Sequence, residues 1–125
     1  MKMTDSKLLD SSIWLEYFHN KKFKEIIESE ELTLLSALSI FEIKRKLLTS
    51  NESQGNMRVA LDFLKKKSLI IPVTEKISET AVEISIENNV PMADSIIYIS
   101  ALQNQAKVLT LDNHFRKLKN AEVLN

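Results

Sequence analysis

Short apolar segments alternate with helical patterns along almost the whole chain. Residues 7–9, 32–35, 69–73 and 108–111 are apolar runs of strand length, and residues 123–124 are a candidate fifth strand. Between these runs, apolar side chains recur at helical spacing, as in Ile40, Ile43, Leu47 and Leu48. Strands that alternate with helices form parallel sheets whose two faces are covered by those helices. The sequence therefore predicts a three-layer α/β/α fold with a central, mostly parallel sheet of four to five strands.

Length and composition predict one globular domain over residues 1–125. The absence of cysteine excludes disulfides, thiolate metal sites and a cysteine nucleophile. No apolar run resembles a signal peptide or a membrane span, so we expect a soluble, cytoplasmic protein. Basic and acidic residues balance at 17 each, so there is no overall attraction to nucleic acid. A nucleic-acid substrate would have to be held by a local basic patch, a metal ion or a partner chain.

Four acidic residues stand near the ends of predicted strands or the starts of predicted helices: Asp10, Glu42, Asp94 and Asp112. Taken singly, each has a purely structural explanation. Asp10 and Asp112 are natural helix caps, and Asp94 complements the dipole of the helix that it begins. Glu42 fits a capping box with Ser39, or an ion pair with Lys46 one helical turn later.

Taken together, the four acids predict a site for divalent metal ions. In right-handed βαβ units the strand-to-helix junctions lie at the carboxyl edge of the sheet. Asp10, Glu42 and Asp112 follow the first, second and fourth predicted strands, and Asp94 begins the helix that leads to the fourth. Carboxylates ~4 Å apart repel by about 4 kcal/mol per pair at an effective dielectric near ~20, so protons or cations must relieve them. Oxygen ligands without cysteine select hard ions such as Mg²⁺ or Mn²⁺.

Four short motifs carry these acids: residues 8–14 (LLDSSIW), 39–43 (SIFEI), 91–97 (PMADSII) and 109–115 (LTLDNHF). In this order, and over essentially the whole chain, they resemble the PIN-domain family, specifically the VapC-type toxin ribonucleases of toxin–antitoxin pairs. The resemblance implies a PIN-like fold and an endoribonuclease that hydrolyses RNA phosphodiesters with metal-activated water. It further implies Mg²⁺ or Mn²⁺ as cofactor, a cognate antitoxin and frequent homodimers. It assigns metal binding and catalysis to Asp10, Glu42, Asp94 and Asp112.

His114 departs from the family pattern. Some members of the family carry another acid just before the final aromatic residue, where this chain has His114. The number of metal ions, one or two, therefore stays open. Because His114 lies on a short helix that looks exposed, we expect it to be a surface or packing residue rather than a ligand or general acid.

Other polar residues flank the four acids. Ser12 and Thr110 can orient an acid or hold a water beside an ion, or they can form local bonds to the backbone near a turn. Lys44, Arg45 and Arg116 are candidates for contacts with RNA phosphates, although solvated helix faces also carry such residues.

Two other functions are compatible with parts of the pattern. The first is a PIN-domain nuclease that processes RNA without an antitoxin. The second is a non-enzymatic phospho-acceptor signalling domain, which needs paired acids after the first strand and an acceptor aspartate after the third. Asp10 has no acidic neighbour and the third strand leads to Thr74 and Glu75, so this alternative is weak. A single glycine, Gly55, argues against a nucleotide-binding loop.

Overall fold

The computed structural model describes residues 6–51 and 54–124. The strands are β1 (Lys7–Leu9), β2 (Thr33–Ser36), β3 (Ser68–Ile71), β4 (Lys107–Thr110) and β5 (Ala121–Val123). The helices are α1 (Ser11–Asn20), α2 (Lys24–Ile27), α3 (Ala37–Thr49), α4 (Gln54–Lys66), α5 (Glu75–Asn88) and α6 (Met92–Gln103), and a 3-10 helix covers Asn113–Lys117. The predicted alternation of strands and helices is confirmed, and so is the candidate fifth strand.

The five strands form one parallel sheet in the order β3-β2-β1-β4-β5. β1 is the central strand, and its Leu8 is in register with Leu34 of β2 and Val108 of β4. Strands are added in one direction from β1 to β3 and in the other direction from β4 to β5. The reversal falls between β1 and β4, and the carboxyl ends at such a reversal open the crevice where parallel sheets bind ligands.

Alternate residues of the central strands face opposite sides of the sheet and begin two separate cores. On one side Leu8, Leu34 and Val108 pack with residues of α5 and α6, including Ile77, Ala81, Ile97 and Ile99. On the other side Leu9, Leu35 and Leu109 pack with residues of α1, α3 and α4, including Ile13, Trp14, Ile43, Leu47 and Leu64. Successive strand side chains point to opposite faces, so both faces of these strands are apolar and both are covered by helices. The predicted three-layer α/β/α fold is confirmed.

The start of α3 corrects one prediction. β2 extends to Ser36, whose side chain caps α3 by accepting a hydrogen bond from Leu38 N at 3.2 Å. The helix therefore begins earlier than the proposed capping box requires. Ser39 lies inside the first turns with its hydroxyl buried and, among the described residues, without a hydrogen-bond partner. The prediction that Ser39 and Glu42 form a capping box is wrong.

Helix α6 is buried on nearly all sides, as its apolar sequence predicts. Residues 94–101 are all buried, and they include Asp94, Ser95 and Ser100 among the apolar side chains. The hydroxyl of Ser100 donates to Ile96 O at 2.7 Å, so its hydrogen bond is formed within the helix. Of the helices in the described part of the chain, none is long and apolar enough to cross a membrane.

Candidate metal centre

The four predicted acids come from four separate elements. Asp10 directly follows β1, Asp112 follows β4 by two residues, and Asp94 lies in the first turn of α6. Glu42 lies in the second turn of α3 rather than at the strand-to-helix junction that the sequence suggested. Burial is the largest cause of the raised pKa of Glu42 and Asp94, and the negative charges of Asp10 and Asp112 raise both further, which makes the four carboxyl groups one electrostatic cluster. The structure thus brings these side chains together, and their catalytic role stays a prediction.

Asp10 is the most buried of the four, with 5% of its surface exposed. It occupies the cap position of α1, but its side chain makes no capping hydrogen bond. Its Oδ2 atom instead accepts hydrogen bonds from Thr110 Oγ1 at 2.7 Å and Ser12 Oγ at 2.9 Å. Burial raises the pKa of Asp10, and these two hydroxyl groups partly oppose that rise. The cap explanation for the Asp10 side chain is therefore wrong, because the carboxylate points across the sheet edge.

Ser12 and Thr110 connect the acids to the ends of β1 and β4. Each hydroxyl donates to Asp10 and also accepts a backbone hydrogen bond, Ser12 Oγ from Leu111 N and Thr110 Oγ1 from Asp112 N, both at 2.9 Å. The local backbone bonds therefore fix the hydroxyl groups that orient Asp10, and a role of Ser12 and Thr110 beside a metal ion stays a prediction.

Asp94, Asp112 and His114 form a closer group within the cluster. His114 Nδ1 lies 3.0 Å from Asp112 Oδ1 and 3.2 Å from Asp94 Oδ2, and ligand atoms of all three lie within 4.8 Å of one another. Asp112 also caps the 3-10 helix, because its Oδ1 accepts from His114 N at 2.9 Å. Burial, followed by the charges of Asp112 and Asp10, raises the pKa of Asp94 to about 7, and His114 acts in the opposite direction.

The position of His114 was not found from the sequence. Its side chain is 57% exposed, as expected for a surface residue, yet its ring contacts two of the four acids. The available signal was its place two residues after Asp112. The sequence did not predict the contact of His114 with Asp94, because this contact depends on how α6 packs beside the 3-10 helix.

Glu42 provides a test of whether the cluster fits a cation. Its Oε1 atom is buried and has no hydrogen-bond partner among the described residues. Burial raises the pKa of Glu42, a hydrogen bond from the Ser11 side chain lowers it, and the charges of Asp10 and Asp112 raise it further. A buried carboxylate oxygen without a donor, beside two other acids, is the environment that a bound cation satisfies. Four carboxylates and one imidazole fit a hard or borderline divalent ion.

The basic residues predicted to contact phosphates are exposed on the surface. Lys44 and Arg45 are exposed on α3, shortly after Glu42, and Arg116 is exposed on the 3-10 helix. The Nε atom of Arg116 donates to Asn113 Oδ1 at 2.8 Å. Their contact with a nucleic acid stays a prediction.

Several solved structures have a fold similar to that of this chain. A toxin-antitoxin complex from Klebsiella pneumoniae has a TM-score of 0.78 and 20% identity, covering 94% of this chain and 97% of that one. VapBC2 from Rickettsia felis, bound to a DNA fragment from its promoter, has a TM-score of 0.75 and 17% identity, covering 95% and 97%. DNA-bound VapBC from Salmonella typhimurium has a TM-score of 0.75 and 15% identity, covering 96% and 97%. At these identities the likeness concerns the fold.

Sequence comparison gives a family but no individual relative. A search of curated proteins finds no significant match. The family model described as the PIN domain matches residues 7–121, a range that contains all four acids and both hydroxyl residues that hold Asp10. The expected resemblance is thereby confirmed, and the chain belongs to the PIN domain family.

Proposed function

We propose that this chain is a divalent-metal-dependent endoribonuclease and the toxin of a toxin–antitoxin pair. The observation that carries the proposal is the convergence of Asp10, Glu42, Asp94 and Asp112 at the carboxyl edge of the sheet. Burial, followed by repulsion from neighbouring acids, raises the pKa of Asp10, Glu42 and Asp94, and the unpaired Glu42 oxygen adds to the demand for a cation. Membership of the PIN family supports a nuclease, and the absence of cysteine leaves oxygen and imidazole ligands for Mg²⁺ or Mn²⁺.

In this proposal the acidic residues of the site bind metal ions and the basic residues bind RNA. When bound, divalent ions supply a Lewis acid that activates water and neutralises charge on the phosphodiester. Asp94, Asp112 and Glu42 supply carboxylate oxygens, and Asp10 supplies a fixed carboxylate whose orientation Ser12 and Thr110 maintain. Lys44, Arg45 and Arg116 stand where RNA phosphates would approach, and they hold the substrate that the neutral chain does not attract as a whole.

This chain has a groove whose chemistry suits binding of the proposed antitoxin. The groove lies between α1 and α4, has a volume of about 480 Å³, and is lined by residues that include Tyr17, Phe18, Met57, Val59 and Phe63. Apolar helices dock in grooves of this kind. The similar fold from Klebsiella pneumoniae belongs to a toxin–antitoxin complex, which supports the same partner class. Coexpression with a small protein encoded by the adjacent reading frame, followed by copurification, tests this partner, and its failure favours an RNA-processing nuclease.

A homodimer is the second partner that we propose. Val82, Ile86 and Met92 are 54%, 76% and 70% exposed around a cavity of about 290 Å³ between α5 and α6. Apolar side chains exposed together mark an interface. Sedimentation of Ile86→Lys should give a monomer, and Leu69→Lys, at an exposed position on β3, should leave the assembly unchanged. We assign the activity to the cytoplasm, where cellular RNA is found.

The decisive experiment measures cleavage of single-stranded and structured RNA by purified protein. Wild type should cut RNA with Mn²⁺ or Mg²⁺ and lose activity in EDTA. Asp94→Asn should lose cleavage in all conditions, whereas Asp62→Asn, at an exposed position of α4, should retain it. Folded wild type that neither cuts RNA nor binds Mn²⁺ would contradict the proposal, and the four acids would then be structural.

A further inference from the structure

We propose that His114 is a metal ligand together with Asp94 and Asp112, and that its imidazole makes this centre select Mn²⁺ and similar transition ions over Mg²⁺. The inference rests on the proposed function, because it concerns one part of the same acid cluster. It assigns a role to the residue at which this chain departs from the acidic pattern. The consequence is a mixed nitrogen and oxygen centre in place of an all-carboxylate one.

The separation of the ligand atoms is the first argument. His114 Nδ1 lies 3.0 Å from Asp112 Oδ1 and 3.2 Å from Asp94 Oδ2. Two ligand atoms that each lie ~2.1 Å from an octahedral ion are about 3 Å apart when they are neighbours. The imidazole nitrogen therefore already has the spacing of an adjacent ligand to one oxygen of each carboxylate, and ligand atoms of all three residues lie within 4.8 Å of one another.

The two carboxylates of the group are held in place by the fold. Asp112 caps the 3-10 helix by accepting the hydrogen bond from His114 N at 2.9 Å, which fixes its carboxylate beside His114. Asp94 is held in the first turn of a buried helix with its side chain 12% exposed. Two of the three ligands are thus preorganised, which lowers the entropic cost of binding.

The chemistry of imidazole gives the selectivity. Mg²⁺ prefers oxygen ligands, whereas imidazole suits later divalent ions, whose affinity for nitrogen sites rises along the first transition row. Replacing a carboxylate by a neutral imidazole also removes one negative charge from the centre, and Mg²⁺, which dehydrates reluctantly, depends most on that charge. Glu42 Oε1, buried and without a donor among the described residues, adds an oxygen to the same cluster.

The chain contains a matched control residue. It has two histidines, and the other one, His19, is exposed in the last turn of α1. α1 begins after Asp10 and has 10 residues, so its last turn lies roughly 15 Å along the helix from the acid cluster. A change at His19 therefore tests the general effect of losing a histidine without touching the centre.

The experiment measures Mn²⁺ binding to the full chain by electron paramagnetic resonance, with pulsed spectra that detect a nitrogen bound to the ion. Wild type and His19→Ala should both show ¹⁴N coupling from an imidazole. His114→Ala should lose that coupling and raise the Kd for Mn²⁺ at least about tenfold. His114→Asp should lose the coupling, retain ion binding and shift the ratio of Mg²⁺ to Mn²⁺ affinity towards Mg²⁺ by about tenfold or more.

Two outcomes would overturn the inference, and they differ in what else they overturn. If wild type binds Mn²⁺ and cuts RNA but shows no ¹⁴N coupling, or keeps the coupling in His114→Ala, His114 is not a ligand and the proposed function stands. If wild type binds no Mn²⁺ at all, both the inference and the proposed metal-dependent function fail. The exposure of His114 makes unfolding of its variants an unimportant source of error, and circular dichroism checks it.

Discussion

Asp94→Asn should stabilise the metal-free protein while abolishing its activity. The pKa of Asp94 rises from 3.8 to about 7, with burial as the largest cause and the charges of Asp112 and Asp10 next. One pKa unit corresponds to about 1.4 kcal/mol, so ionising Asp94 in the folded state costs roughly 4 kcal/mol relative to the unfolded chain. Neighbouring carboxyl groups share part of this cost, and we expect a gain in the free energy of unfolding of about 2 to 4 kcal/mol.

The gain in the free energy of unfolding of Asp94→Asn should be larger at high pH than at low pH. Because the folded-state pKa of Asp94 is raised, its favourable protonated form contributes fully below 3.8 and is lost as pH rises through about 7. Asparagine carries no charge at any of these pH values. The variant should therefore exceed wild type in stability at about pH 8 and match it near about pH 4.

Urea denaturation in EDTA measures this difference. For a chain of this size a gain of about 2 to 4 kcal/mol moves the urea midpoint by roughly 1 to 2 M at about pH 8. Asp62→Asn, a change at an exposed acid on α4, should alter stability by less than about 0.5 kcal/mol at either pH. An Asp94→Asn variant that is less stable than wild type at about pH 8, or whose gain is equal at both pH values, would refute the idea that repulsion among the acids destabilises the metal-free fold.

Three further predictions concern the same centre and the core behind it. Thr110→Val should cost about 1 to 3 kcal/mol and weaken Mn²⁺ binding about 10- to 100-fold, because it removes one of the two hydroxyl donors to Asp10 and leaves the Asp112 N–H without its acceptor; Thr110→Ser should recover most of both in urea and binding titrations. Added Mn²⁺ should raise the melting temperature of wild type more at about pH 8 than at about pH 5, because the ion competes with protons for carboxylates; equal shifts in calorimetry would contradict this. Trp14→Ala should cost about 3 to 5 kcal/mol in urea because Trp14 is fully buried, whereas Phe41→Ala, at a residue 66% exposed, should cost less than about 0.5 kcal/mol.

The strands and the meeting of the acids could be predicted because both follow from local pattern and general topology. Short apolar runs such as residues 108–111 have few alternatives to a buried strand, and parallel connections bring strand ends to one edge. Asp10 directly follows β1 and Asp112 follows β4 by two residues, so their proximity required no knowledge of side-chain packing.

The details that the sequence did not provide depend on single-residue boundaries and on contacts between distant segments. The capping of α3 by Ser36 rather than Ser39 depends on how far β2 continues, and hydroxyl residues at both positions satisfy the local preference for a cap. The contact of His114 with Asp94 depends on the packing of α6 beside the 3-10 helix. Composition and residue spacing carry no information on the distance between His114 and Asp94.

The central position of β1 also determines when the acid cluster forms. β1 pairs with β4, and Asp10 receives its shortest hydroxyl bond from Thr110, 100 residues later in the chain. A polypeptide still being synthesised, with β4 not yet made, contains Asp10, Glu42 and Asp94 but has neither Asp112 nor the hydroxyl that fixes Asp10. On the proposed function, a nascent chain without β4 therefore lacks a complete acid cluster, and nuclease competence arises only after β4 and the 3-10 helix have been synthesised.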